Sequence, residues 1–166
     1  MNFSNRVCNM LHEEHQASVA LMERLERFLG AHRRSRPDCA QTDVKHLLSD
    51  LATGLKDEIE RHFAFEEQRL FPYLASAGDA AIGDHLTGEH AAIRPLGRRV
   101  AELAQTGLAC GFDDRDFEDF RRLGQELCER TLTHVQKEEM ALLPLLEEMM
   151  DAQTEAALSE HYAGNE

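Results

Sequence analysis

The chain has 166 residues, and its 31 acidic against 18 basic side chains give a formal net charge of −13. Because like charges repel, this balance argues against nucleic acid and anionic membrane surfaces as partners. The chain is long enough for one domain with a substantial core, and its 10 Gly and 4 Pro leave few helix breakers. We therefore expect one acidic domain, residues 1–166, built from long helices.

Cysteine spacing and hydropathy bear on the cellular compartment. The four cysteines are far apart and form no C-x-x-C pair, which argues against a thiolate zinc site and a disulfide framework. Residues 1–30 lack the apolar stretch of a signal peptide, and the longest apolar run, 140–146, is too short to span a bilayer. These features predict a cytoplasmic protein without a membrane partner.

The first two predicted helices cover residues 5–31 and 42–77. In the first, apolar side chains and His15 recur at spacings of three and four, as on one face of an α-helix. The second shows the same periodicity. Pro72 is expected to kink or end the second helix, and Gly78 to stop it.

The same spacing predicts a third helix over 80–106, a fourth over 114–150 and a short helical tail over 154–162. The alternation of three and four persists for five or six turns, and the chain has no strand pattern. This combination predicts an all-α fold, an antiparallel up-down four-helix bundle with a short C-terminal helical tail.

Two stretches of the chain follow one formula: "HFAFEEQRLFPYL", which begins at His62, and "HVQKEEMALLPLL", which begins at His134. In each, a Glu follows the His after four residues and a Pro follows it after ten. His62 and Glu66 continue the apolar stripe of the second helix, and His134 and Glu138 continue that of the fourth. Each pair therefore projects from one buried face.

The buried position of these polar side chains calls for a shared partner, because an unpaired carboxylate in a core costs several kcal/mol. His15 and His90 lie on the stripes of the first and third helices at similar depth. A single histidine on such a stripe is more often a hydrogen-bonded core residue than a ligand. Two copies of the His-x-x-x-Glu pair, together with His15 and His90, favour a metal site instead.

The residue types narrow the choice of metal. Imidazole and carboxylate without thiolate suit iron, manganese or zinc. A structural zinc site needs four ligands, whereas six or seven candidates are available here, which fits two ions bridged by two carboxylates. Ferritin-like bundles use four carboxylates. With only two, reversible binding of a small diatomic molecule is favoured over strong oxidation.

Four motifs carry a resemblance to a known family: "EEHQASVALMERL", "HFAFEEQRLFP", "GEHAAIRPL" and "HVQKEEMALLP". With them the chain resembles the hemerythrin-like (HHE cation-binding) family over nearly its whole length. The resemblance implies two iron ions in a non-haem centre with a bridging oxo or hydroxo group. It assigns as metal ligands His15, His62, Glu66, His90, His134 and Glu138.

The third helix departs from the pattern of the oxygen carriers in this family. Its histidines, His85 and His90, lie five residues apart, which separates them by about 140° around a regular helix. We include His85 as a seventh predicted ligand, on the condition that the helix starts late or is distorted, which Gly83 and Gly88 permit.

Three residues remain as alternatives or neighbours of the predicted ligands. His12 adjoins the stripe of the first helix and is an alternative to His15. Glu139 matches the five-residue spacing of the oxygen carriers, but it lies off the stripe. Because Glu67 and Glu139 point about 100° away from the predicted site, we expect iron binding not to depend on them.

The predicted function is binding or sensing of dioxygen, or of a related diatomic such as nitric oxide, by a protein that is not primarily an enzyme. One alternative is a di-iron enzyme that reduces nitric oxide or peroxide or assists iron-centre repair, with Glu89 as candidate proton donor. The other is an iron-responsive regulatory or storage module.

Overall fold

The computed structural model describes residues 3–163 and contains four long helical segments and a short fifth, with no β-strand in that range. The predicted all-α bundle with a C-terminal helix is confirmed. The first helix is Arg6–Ala31, the third is Ala81–Cys110 and the C-terminal helix is Ala152–Ala163. The second helical segment covers residues 42–76 and the fourth covers 114–149. Successive long helices run antiparallel.

The second and fourth helices are interrupted by π-helical turns. The second consists of Thr42–Asp57, the π-turn Glu58–His62, Phe63–Phe65, the π-turn Glu66–Leu70 and Phe71–Ser76. The fourth consists of Asp114–Lys137, the π-turn Glu138–Leu142 and Leu143–Met149. Such turns are rare and occur often at functional sites.

A proline follows the last π-turn in each of these two helices. Pro72 and Pro144 occupy the first turn of the α-helical segment that follows, where a missing backbone N–H is tolerated. Pro72 therefore does not end the second helix. That helix continues to Ser76, and Gly78 with φ 99° terminates it.

The third helix extends four residues beyond the predicted end at 106. Gly107 lies inside it and permits close packing, because a Cβ there would lie 2.8 Å from Phe112 Cζ and 2.9 Å from Leu48 Cδ1. The helix ends at Cys110, and Gly111 follows with φ 77°. Gly111, and not Gly107, therefore stops the helix.

Two apolar clusters divide the bundle along its length. The larger cluster includes Leu25, Leu48 and Phe120, and the smaller includes Leu11, Leu74 and Leu146. Buried polar side chains of all four long helices lie between the two clusters. The core thus consists of two dry regions with a polar layer between them.

Replacing Gly107 by alanine is expected to destabilise the fold by about 1–3 kcal/mol, because the new methyl group overpacks the contact with Phe112 and Leu48. The matched control is Gly88→Ala in the same helix, where a Cβ meets open space. That control should stabilise the helix by roughly 0.5–1 kcal/mol. Urea unfolding of both variants measures the difference, and equal effects would contradict the packing role of Gly107.

Candidate metal centre

The polar layer between the apolar clusters contains six of the seven predicted ligands. Their donor atoms form two groups of four, within each of which all the atoms lie within 4.8 Å of one another. The first group is His15, His62, Glu66 and Glu138, and the second is Glu66, His90, His134 and Glu138. Both groups contain both glutamates. The layer therefore offers two groups, each of which could hold a cation, and these groups share two carboxylates.

These six side chains are at most 1% exposed, and six of their inner atoms lack a hydrogen-bond partner. The Nε2 atoms of His15 and His62 and all four carboxylate oxygens of Glu66 and Glu138 are buried without a hydrogen-bond partner. Some of these atoms are nonetheless close: His15 Nε2 lies 3.0 Å from a Glu138 oxygen. Close donor atoms without hydrogen-bond geometry are what a site for cations requires, whereas burying them unpaired is costly.

The outer nitrogen of each histidine faces a carboxylate. His15 Nδ1 lies 2.6 Å from Glu139, and His62 Nδ1 lies 2.7 Å from Glu14. His90 Nδ1 lies 2.8 Å from Glu67, and His134 Nδ1 lies 2.9 Å from Glu89. Because an ionised carboxylate only accepts hydrogen bonds, each Nδ1 carries the proton. When such an imidazole is neutral, its Nε2 lone pair therefore points inward, as metal ligation requires.

The pair His90 and His134 is also arranged to receive a positive charge. Their Nε2 atoms lie 3.1 Å apart. With both Nδ1 atoms protonated, neutral imidazoles would direct two lone pairs at each other. A proton or a metal cation between them removes this repulsion.

Without metal, protons occupy part of the site. Burial lowers the pKa of His15, but the adjacent carboxylates of Glu138 and Glu139 outweigh it and raise the pKa to about 9. At His134 burial is outweighed in the same way, mainly by Glu138, and the pKa is about 8. Burial raises the pKa of Glu66, but the neighbouring His62 and His90 bring it well below its usual range. Carboxylates are thus ionised beside imidazoles that retain protons, which a metal would displace.

The structure does not bring His85 into this layer. Its side chain is 60% exposed, and its Nε2 lies 3.2 Å from Lys137 Nζ. The third helix stays regular around it, and Gly83 serves packing instead, since a Cβ there would lie 2.8 Å from Phe71 Cβ. The helix begins at Ala81 and is α-helical through His85, so neither the late start nor the distortion occurs, and we do not retain His85 as a ligand. His12 also lies outside both groups.

Glu67 and Glu139 belong to neither four-residue group, but their side chains contact the outer nitrogens of two candidate ligands. An offset of 100° from the buried stripe directs these side chains at the neighbouring helix and not at solvent, and there they meet His90 and His15. Sequence reasoning also missed Glu14 as the partner of His62. A signal was present: all four outer glutamates directly adjoin a candidate ligand, as in Glu14-His15 and Glu66-Glu67.

Phenylalanine side chains form one wall of the layer. Phe63 stacks on the His90 ring with centroids 3.8 Å apart and planes 9° from parallel, and Phe71 lies 5.9 Å from the same ring. This packing fixes the ring plane of His90 and keeps water from it.

The donor set fits a pair of hard or borderline cations. It offers four imidazole nitrogens and two carboxylates, and neither four-residue group contains a cysteine. Imidazole with carboxylate suits iron, manganese or zinc. Each group contributes two imidazoles and two shared carboxylates, which leaves open positions on an ion that prefers six ligands.

Comparison with known proteins identifies the origin of this arrangement. No curated protein sequence matches the chain significantly. A family model described as the hemerythrin HHE cation-binding domain matches residues 7–120. The matched range includes His15, His62, Glu66 and His90, while His134 and Glu138 lie beyond it. The match covers more than half of the chain, and the protein therefore belongs to the hemerythrin HHE cation-binding family.

Proposed function

We propose that the protein binds two iron ions and uses them to bind or sense dioxygen or a related diatomic molecule. The observation that carries the proposal is the pair of four-residue groups that share Glu66 and Glu138. A single ion would leave half of these buried donor atoms without a partner. Two ions with two bridging carboxylates give every inner atom a cation.

The proposed ligands divide evenly between the two iron positions. His15 and His62 would hold one ion, His90 and His134 the other, and the carboxylates of Glu66 and Glu138 would bridge them. A pair of ferrous ions would supply electrons that transfer reversibly to a bound small oxidant. Because four protein ligands per ion leave positions free, the site has room for a small exogenous molecule.

The surrounding residues favour binding over turnover. Burial of all six ligand side chains and the stacking of Phe63 on His90 exclude bulk water, which limits loss of electrons to solvent. The candidate proton donor Glu89 accepts hydrogen bonds from His134 and Lys137. These contacts lower its pKa even though burial raises it, so Glu89 is an ionised carboxylate and a poor source of protons at neutral pH. This favours the binding or sensing role over an enzyme that reduces its ligand.

The test is anaerobic reconstitution with ferrous ion, followed by admission of air and then its removal. We expect a charge-transfer absorption band that appears with oxygen and disappears when oxygen is removed. Irreversible conversion to a ferric species would contradict reversible binding and favour the enzyme. No spectral response to oxygen or to nitric oxide would favour the iron-responsive or storage module.

A further inference from the structure

The four outer glutamates are arranged in a closed cycle around the bundle. Glu14 of the first helix contacts His62 of the second, and Glu67 of the second contacts His90 of the third. The cycle is completed by the remaining two contacts, from Glu89 of the third helix to His134 of the fourth and from Glu139 of the fourth to His15 of the first. Every long helix therefore orients the candidate ligand of the next one.

Each glutamate uses its two oxygens for different partners. In Glu139, Oε1 accepts from His15 and Oε2 lies 2.8 Å from His12 Nδ1. In Glu67, Oε1 accepts from His90 and Oε2 accepts from Arg94 at 2.7 Å. One oxygen thus orients a ligand, and the other is held by a second group.

The same division recurs in the other half of the cycle. Glu14 accepts from His62 with one oxygen and from Arg61 at 2.6 Å with the other, and Tyr162 of the C-terminal helix also donates to it. Glu89 accepts from His134 with one oxygen and from Lys137 with the other. In all four glutamates, the oxygen that does not face the ligand contacts a side chain from the same helix as that ligand. These side chains are His12, Arg94, Arg61 and Lys137.

We propose that Glu14, Glu67, Glu89 and Glu139 are positioning residues that act as one ring, so that the two metal positions assemble together and not one by one. The inference rests on the proposed di-iron function. A carboxylate on Nδ1 fixes the tautomer and orientation of the ligand and raises its basicity, and loss of such a partner typically lowers metal affinity about 10–100-fold. In a closed ring, removing one glutamate also removes the contact between its helix and the helix of the histidine that it orients.

The test measures ferrous affinity in anaerobic competition with a chromogenic chelator, using the full chain. Glu139 and Glu67 contact ligands of different four-residue groups. Even so, Glu139→Ala and Glu67→Ala should each weaken iron binding at both positions about 10–100-fold. Glu139→Gln should recover most of the affinity, because the amide oxygen still accepts the Nδ1–H bond. The matched control is Glu13→Ala, an exposed neighbour of Glu14, which should bind as the parent protein does.

A spectroscopic readout separates positioning from general stability. In the metal-loaded protein, the exchangeable Nδ1–H protons give paramagnetically shifted proton resonances. Glu139→Ala should shift or broaden the resonance of His15 Nδ1–H, whereas Glu139→Gln should keep it near its original place. If Glu139→Ala fails to fold, Glu67→Ala gives the same comparison at His90.

The outcomes distinguish this inference from the function on which it rests. If both alanine variants bind two ions as tightly as Glu13→Ala, the ring has no positioning role, although the di-iron centre stands. If each variant loses only the ion of its own group, the residues act independently and the joint assembly is overturned. If the parent protein binds no pair of ions, the proposed function itself fails.

Discussion

Glu66→Ala and Glu138→Ala are each expected to lose both of the proposed iron ions, because each removes a carboxylate that belongs to both four-residue groups. The remaining donor set at each position would be two imidazoles and one carboxylate. Loss of a residue that only hydrogen-bonds to a ligand lowers metal affinity by about 10–100-fold. Loss of a ligand itself should therefore lower the affinity for iron by at least about 100-fold. Helix content should be preserved, because alanine suits a helix interior.

Metal analysis after ferrous reconstitution and desalting measures this effect. The controls are Glu60→Ala and Glu148→Ala, exposed glutamates of the same two helices, which should retain the full complement of iron. The double variant of Glu66 and Glu138 should be little worse than either single variant, since residues that act on one cluster are not additive. Retention of both ions in either single variant would rule out a bridging role for that carboxylate.

Removal of the metal is expected to make the fold less stable, and increasingly so as the pH rises from about 6.5 to about 9. In the metal-free protein the folded-state pKa of His15 is raised to about 9 and that of His134 to about 8, against 6.5 for a free histidine. A raised pKa contributes stability that is fully present below the unfolded value and is lost as the pH rises through the folded value. The metal-free protein should therefore lose a few kcal/mol across this window.

The metal-loaded protein should respond in the opposite sense. With iron on Nε2, no proton remains there to be lost, and metal binding itself strengthens as competing protons become scarce. The stabilisation by metal, measured by denaturant unfolding at pH 6, 7.5 and 9, should grow with pH. A metal-free protein that is more stable at pH 9 than at pH 6 would show that these imidazoles do not hold protons beside ionised carboxylates.

Much of the site follows from helical periodicity. A spacing of four placed His62 with Glu66 and His134 with Glu138 on buried stripes, and their burial at 1% exposure or less favours a shared cation. The π-turns were not predictable in this way. A spacing pattern reports which face is apolar but not where the backbone bonding changes from i+4 to i+5.

The outer glutamates mark a second limit of sequence reasoning. Periodicity states that Glu67 lies 100° from the stripe, but whether that direction is solvent or a neighbouring helix depends on how closely the helices pack. Close approach at positions such as Gly97, where a Cβ would lie 2.7 Å from Ile59 Cδ1, is set by small residues of two helices together. The same dependence misled the prediction for His85, because Gly83 serves packing and not a distortion of the helix.

No helix within residues 3–163 is long and apolar enough to cross a membrane.

Counting bound iron tests whether Glu66, Glu138 and the four imidazoles hold a dinuclear centre. The protein is loaded anaerobically with excess ferrous ion, freed of unbound metal and analysed for iron and protein by independent methods. We expect about two iron ions per chain, since each of the two four-residue groups would hold one. One ion per chain, or iron that persists when His15 and His134 are both replaced by alanine, would contradict it.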